Sequence, residues 1–253
     1  MIDFQVEGRI AVIRLDRVEA RNAINAEMAQ AIESAIDRFK DDHELWVGIL
    51  GHYGPVFCAG ADLKEIAAGN ADALWTERGG FGGIAWRERT KPLIAAVDGY
   101  AVAGGTEIAL ACDLRVAAKG SRFGIPEVKR SLVAAAGGLV RLPRVLPPAI
   151  AMELALTGDT IDAERAYELG LVNDVCETGG VIECAMTLAE RINANAPLAV
   201  RSSRQLILDA PGQSDAEGMA AAGEAFNIIA MTEDAVEGPR AFIEKRPPVW
   251  KGR

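Results

Sequence analysis

Two glutamates, Glu107 and Glu127, lie twenty positions apart, each beside a distinctive backbone feature. The first closes the run Tyr100-Ala101-Val102-Ala103-Gly104-Gly105-Thr106-Glu107, and the second closes Phe123-Gly124-Ile125-Pro126-Glu127. A further glycine segment stands upstream, Phe57-Cys58-Ala59-Gly60-Ala61-Asp62-Leu63. A glycine-rich approach to a helix start leaves backbone N–H groups unobstructed by side chains. Two such groups, one from each glycine segment, can clamp a single carbonyl oxygen. Two carboxylates nearby can then move protons. Together these residues point to chemistry on an activated carbonyl compound.

Each segment has its own local logic. Asp62 is suited to cap a helix over Leu63 to Ala67, which turns the first N–H groups out of the turn. An ordinary loop-to-helix junction has the same composition. Glu107 precedes Ile108-Ala109-Leu110-Ala111-Cys112, apolar on nearly all sides, so it falls in the first turn of a buried helix. Burial raises a carboxyl pKa while the helix N-terminus lowers it. A buried glutamate without a structural partner is costly, which favours a functional role over a salt bridge. Pro126 donates no N–H and restricts the backbone before Glu127, although Lys129 and Arg130 also suit a solvated charged turn. Gly137-Gly138 permits either a close approach or a tight turn.

These residues must be positioned by a sizeable core. The chain has 253 residues, half of them apolar, enough for one or two domains. No apolar run spans a bilayer, and Met1-Ile2-Asp3-Phe4-Gln5-Val6-Glu7 reads as a first strand rather than a secretory signal. A net charge of −9 argues against a nucleic-acid or anionic-membrane partner but leaves room for a local basic pocket. Cys58, Cys112, Cys176 and Cys184 show neither CxxC spacing nor a disulfide pattern, and His43 and His52 are the only histidines. No zinc or other metal site is expected, and the cysteines read as small buried residues of a cytoplasmic protein.

The first half reads as α/β. Phe4 to Val6 and Ile10 to Leu15 are strands across a Glu7-Gly8-Arg9 turn. Met28, Ile32, Ala35, Ile36 and Phe39 recur at helical spacing over Ala26 to Phe39, with Asn25 as N-cap. Trp46 to Leu50, Leu93 to Val97 and Leu114 to Ala117 are further strands, and Gly69 to Gly83 reads as a mobile loop. Beyond about Pro143 the pattern becomes helical: Pro148 to Leu156, Ala163 to Leu169, Val181 to Ala194, Ala199 to Leu208, Asp215 to Met231 and Asp234 to Glu244. Val172 to Cys176 is the one strand among them. The expected division is an α/β core over 1–195 and a helical region over 196–253.

In combination the segments resemble the crotonase superfamily, and within it the enoyl-CoA hydratases. The resemblance runs from Asp16-Arg17 and Arg21-Asn22-Ala23-Ile24-Asn25 to Phe242-Ile243-Glu244-Lys245-Arg246-Pro247-Pro248. It includes Cys58-Ala59-Gly60-Ala61-Asp62-Leu63-Lys64, Gly99-Tyr100-Ala101 with Gly104-Gly105, Ala111-Cys112-Asp113, and Phe123-Gly124 with Pro126-Glu127. It implies a spiral of ββα turns followed by a helical trimerisation region, in a homotrimer or dimer of trimers. It implies a coenzyme A thioester substrate, an oxyanion hole from the N–H groups of Ala61 and Gly104, and proton transfer by Glu107 and Glu127. Coenzyme A contacts map to Arg21, Asn22 and Ala23, to Ala61, Asp62, Leu63 and Lys64, and from the helical tail, in some members that of a neighbouring subunit, to Phe226 and Lys245. No metal or redox cofactor is implied, since coenzyme A belongs to the substrate.

The implied reaction is reversible addition of water across the 2,3 double bond of a 2-enoyl-CoA to give a 3-hydroxyacyl-CoA. Some features depart from the family pattern. Ala103 stands where many hydratases have glycine, Thr106 replaces a small apolar residue or cysteine, and Leu132 to Gly138 lacks a usual proline and glycine. These departures resemble relatives of the carnitinyl-CoA dehydratases. A specialised dehydratase, a double-bond isomerase and a non-catalytic acyl-CoA-binding protein are the alternatives. The isomerase is disfavoured because one carboxylate can suffice for it. The binding protein is disfavoured because both glutamates and both glycine segments are present. Trp75, Phe81, Ile84 and Trp86 are candidates either for the acyl pocket or for core and subunit contacts.

Overall fold

The computed structural model describes residues 1–253. β1 (Ile2–Glu7) and β2 (Ile10–Leu15) form an antiparallel hairpin, with Gly8 at φ +59° in its turn. Glycine carries no Cβ penalty in that left-handed conformation. Asn25 caps α1 (Ala26–Asp41), accepting the Met28 N–H at 2.9 Å. The apolar stripe read from the sequence is buried, from Met28 to Phe39. There follow β3 (Val47–His52), α2 (Leu63–Ala67), β4 (Trp75–Thr76), β5 (Gly80–Phe81), β6 (Leu93–Val97), β7 (Tyr100–Val102) and α3 (Gly104–Ala111). Next come β8 (Leu114–Ala118), β9 (Arg122–Gly124), a 3-10 turn over Pro126–Arg130, α4 (Gly138–Val145), α5 (Pro148–Thr157), β10 (Thr160–Asp162) and α6 (Ala163–Glu168). The remainder is β11 (Asp174–Cys176), α7 (Val181–Asn193), α8 (Pro197–Asp209), α9 (Asp215–Ala230) and α10 (Glu233–Glu244).

The main sheet has the order β1-β2-β3-β6-β8-β11, parallel everywhere except the initial hairpin. A smaller sheet has the order β10-β9-β7. β6 passes through Asp98-Gly99 into β7 and then α3, while β8 passes through Gly120 into β9 and the 3-10 turn. These two windings each lay one strand in each sheet before turning to a helical segment, a spiral of strand, strand and helix. Parallel strands buried on both faces need apolar residues at successive positions. Val12 and Ile13, Ile49 and Leu50, Ala96 and Val97, and Val116 and Ala117 supply them. One face packs on α1 and α3; the other packs on Val181, Ala185 and Ala189 of α7.

Three features differ from the sequence expectation. The segment 69–83 is not an open loop: it contains a 3-10 turn over Ala71–Leu74 and the β4–β5 hairpin. Trp75 organises it, packing edge-to-face with Phe81 and tilted against Trp86, with ring centroids 5.7 and 4.9 Å away. Gly138 also begins α4, a helix the sequence reading did not place, and of the two roles offered for Gly137-Gly138 it is the close approach that is found, to Glu107. β7, β9 and β10 are only three residues each, too short to show alternation.

No helix is long and apolar enough to cross a membrane. In the tail, α8 packs on α9, and α9 on α10. Met219, Phe226, Met231, Phe242 and Ile243 of α9, α10 and the turn between them lie on the surface.

Candidate active site

The junction of the two sheets brings the glycine segments together. Cys58 bridges to Ala101 and Ile24 to Ala61, which places Gly60 directly beside Gly104. A Cβ on Gly60, whose φ is +90°, would lie 2.9 Å from the Gly104 nitrogen and 2.8 Å from Ala103 Cβ. A Cβ on Gly104 would collide with the Phe81 ring. Both glycines are therefore required by close approach. The Ala61 and Gly104 N–H groups donate to no protein acceptor, Gly104 being the first residue of α3. Two free donors thus stand side by side at the mouth of α3.

Ala103, just before them, has φ +54° and ψ −130°, a conformation rarely held by a residue with a Cβ. Its N–H donates to Gly124 O at 2.9 Å, and its carbonyl accepts from Thr106 N and Glu107 N. Thr106 makes a second clip: its Oγ lies 2.6 Å from Ala101 O and accepts the Gly124 N–H at 3.0 Å. The hydroxyl at this position fastens α3 to β7 and β9.

Glu107 is 3% exposed. Its Oε1 accepts the Gly138 N–H at 2.9 Å. Burial pushes the Glu107 carboxyl up, and the Gly138 and Ala136 N–H groups and the Arg141 charge only partly pull it back. Glu127, in the 3-10 turn, is pushed up to about 7 by burial, with the Glu107 charge adding to the rise. Its own N–H and Arg130 oppose this. Glu127 Oε2 is buried without a hydrogen-bond partner. Two carboxyl groups with raised and mutually dependent pKa values suit proton transfer near neutral pH.

A cavity of about 720 Å³ joins these groups. Glu107, Glu127, Ala61 and Gly104 all line it, as do Arg21, Ala23, Asp62, Leu63 and Lys64. Asp62 caps α2 through the Lys64 N–H at 3.0 Å and pairs with Arg17 at 2.8 Å. Trp75 and Phe81 line the cavity, whereas Ile84 is in the core and Trp86 reaches it only through Trp75.

Three residues mapped to coenzyme A do not line the cavity of their own chain. Asn22 is fully buried and does not line the cavity. Its side chain donates to Tyr53 O and Val56 O at 3.0 and 2.7 Å and accepts the Arg17 N–H at 2.8 Å. With φ +52°, Asn22 shapes the loop that presents Arg21. Phe226 and Lys245 sit on the tail, exposed and outside the cavity of their own chain. Sequence reasoning missed Arg17, Thr106 and the Gly138 N–H as parts of the site. Gly138 carried a signal in the Gly-Gly pair, while Arg17 and Thr106 stood out only in the comparison with the family pattern. No group of three or more His, Cys, Asp or Glu side chains is arranged to hold a metal ion.

Residues 5–253 match the family model described as enoyl-CoA hydratase/isomerase. The chain belongs to this family. The chain is 48% identical to a solved enoyl-CoA hydratase from Mycobacterium tuberculosis H37Rv, with a TM-score of 0.96 over all of this chain and 99% of that one. It is 40% identical to a carnitinyl-CoA dehydratase from Citrobacter koseri, over 100% of this chain and 98% of that protein. A solved carnitinyl-CoA hydratase from Mycobacterium avium is 42% identical, with a TM-score of 0.77 over 100% of this chain and 98% of the other. The α/β spiral with its helical tail is thus a crotonase fold. The Asp16-to-Pro248 resemblance falls within the matched span.

Proposed function

We propose that this protein is an enoyl-CoA hydratase, adding water across the 2,3 double bond of 2-enoyl-CoA thioesters. One observation carries the reading: two free N–H donors and two carboxyl groups with raised pKa values line the same cavity. Addition at the β carbon sends negative charge to the thioester oxygen. The Ala61 and Gly104 N–H groups receive that oxygen, and a donor of this kind is typically worth roughly 3–4 kcal/mol in the transition state. Glu107 and Glu127 hold the water between them. The ionised member of the pair takes its proton, and the pair returns one to the α carbon. Reversal of these steps dehydrates a 3-hydroxyacyl-CoA.

Arg21 and Lys64 line the cavity and supply positive charge for the phosphates of coenzyme A. The tail completes the site between subunits of a homotrimer or dimer of trimers, with Phe226 and Lys245 serving a neighbour's cavity. The unpaired apolar side chains of α9 and α10 support this assembly. The reduced, unpaired cysteines support a cytoplasmic location. A second reading, dehydration of a carnitinyl thioester, is favoured by the names of the curated relatives. Initial rates with enoyl-CoA substrates of graded length, followed by loss of the conjugated absorbance, test the first reading; carnitinyl-CoA tests the second. Hydration of short enoyl-CoA substrates with carnitinyl-CoA inert supports the first, and the reverse pattern establishes the second.

A further inference from the structure

Arg141 lies in the first turn of α4, and its guanidinium folds back rather than out to solvent. Nη1 donates to Ala136 O at 3.2 Å and Nη2 to Ala85 O at 2.6 Å. Ala136 lines the cavity, whereas Ala85 lies in the core behind Phe81, which lines it. Ala136 lies just before Gly138, whose N–H holds Glu107 Oε1 at 2.9 Å. Ala85 closes a turn on Phe81, its N–H donating to Phe81 O at 3.1 Å. Phe81 in turn packs so tightly on Gly104 that a Cβ there would strike its ring. One guanidinium therefore ties the wall that holds the carboxylate to the wall that backs the N–H donor.

We propose that Arg141 is a positioning residue, setting Glu107 and the Gly104 N–H relative to one another. The inference rests on the two-carboxylate reading above. A planar fork reaching two carbonyls is a task for which lysine is a poor substitute. Glycine at 137 is part of the device: with φ +107°, it leaves space for the guanidinium, and a Cβ there would collide with Nη1. The charged and titratable groups around Arg141 are Arg89, Arg144, Glu107 and the Cys112 thiol. Among them Glu107 is the only carboxylate, so loss of the Arg141 charge must be felt there.

Arg141→Gln, Arg141→Lys and Gly137→Ala together provide the test, with kcat, KM, the pH profile and exchange of the Gly138 amide as readouts. Displacement by about 1 Å can cost about 10²-fold in rate. In Arg141→Gln, kcat falls about 10–10²-fold with KM within about threefold, and the Gly138 amide exchanges faster. The acidic limb of kcat/KM moves to higher pH, because the charge that pulled Glu107 down is gone. Arg141→Lys restores that limb but not kcat. Gly137→Ala keeps the arginine but strains the backbone at φ +107° as well as crowding Nη1, so its lower kcat is only supporting. Arg141→Lys, which keeps the charge and loses the fork, decides the matter if Arg141→Gln does not fold. A kcat within about threefold of the parent in either decisive variant, or unchanged Gly138 exchange, overturns the proposal. Gly138 exchange reads the positioning even if the parent protein hydrates no enoyl-CoA, so the two readings fail separately.

Discussion

Gly138 donates its N–H to Glu107 Oε1 at 2.9 Å, joining the start of α4 to the carboxylate in the first turn of α3. A Cβ on Gly138 would lie 3.1 Å from Oε1 and 3.2 Å from Cγ of the same glutamate. The site therefore needs the bond and the absence of a side chain at one position. Gly138→Ala should keep the fold, since alanine favours a helix by roughly 0.8–1 kcal/mol over glycine. It should lower kcat by about tenfold or more by pushing Glu107 out of place. Thermal unfolding and steady-state kinetics on one preparation check this: a parent-like kcat would mean that the glutamate has room to move.

Glu127 gives the protein a pH signature. Burial raises its carboxyl to about 7, so the folded state holds this proton more tightly than the unfolded chain. The stability contributed by that proton is fully present below the ordinary carboxyl value. It is lost as pH rises toward and through about 7. Glu127→Gln should therefore be more stable than the parent at pH 8, by about 2–4 °C in melting temperature for each kcal/mol gained. The gap should close as pH falls toward about 4.3, the ordinary range of a glutamate. Melting curves from about pH 4, near the ordinary carboxyl value, to about pH 8 check it. A gap that widens on acidification contradicts the assigned burial.

Ala103 holds φ +54° and ψ −130°, and such conformations cost of order 1–3 kcal/mol in a residue with a Cβ. Glycine relieves this but gives back about 0.4–1 kcal/mol through a freer unfolded chain. Ala103→Gly should thus raise the melting temperature slightly while hydration persists. A lower melting temperature would show that the Ala103 Cβ, which sits against Gly60, contributes packing of its own.

Most of the framework was legible because its signals were local. The apolar stripe of α1, its Asn25 cap, the parallel strands and the tail helices all follow from residues close in sequence. The pairing of Glu107 with Glu127 and of Ala61 with Gly104 came through the family resemblance, and both pairs line one cavity. Asn22 was misplaced because a buried polar residue serving carbonyls reads the same in sequence as a ligand contact. Arg141 left no local trace, and Thr106 stood out only as a departure from the family pattern, not as a clip between strands. Their partners, Ala85 and Gly124, are supplied by windings of the spiral far away in the chain.

Phe226 on α9 is 72% exposed, and Lys245 ends α10 in the left-handed region with φ +54°. Neither reaches the cavity of its own chain. Light scattering at micromolar protein should give a trimer or a hexamer. Lys245→Ala should raise KM for an enoyl-CoA with little change in kcat, the pattern of lost uniform binding. The effect should weaken with salt and vanish for a pantetheine thioester lacking the nucleotide. A monomer, or an equal loss with the truncated substrate, would remove Lys245 from the coenzyme A site.

The most direct measurement compares hydration by the parent protein with that by Glu107→Gln and Glu127→Gln, alongside thioester affinity and melting temperature. Each substitution keeps the shape of the side chain and removes its ability to exchange a proton. General acid–base catalysis typically contributes about 10²–10⁴-fold. The two-carboxylate account predicts a loss in that range for each variant, with binding and folding nearly intact. Hydration retained within about tenfold by either well-folded variant would contradict it.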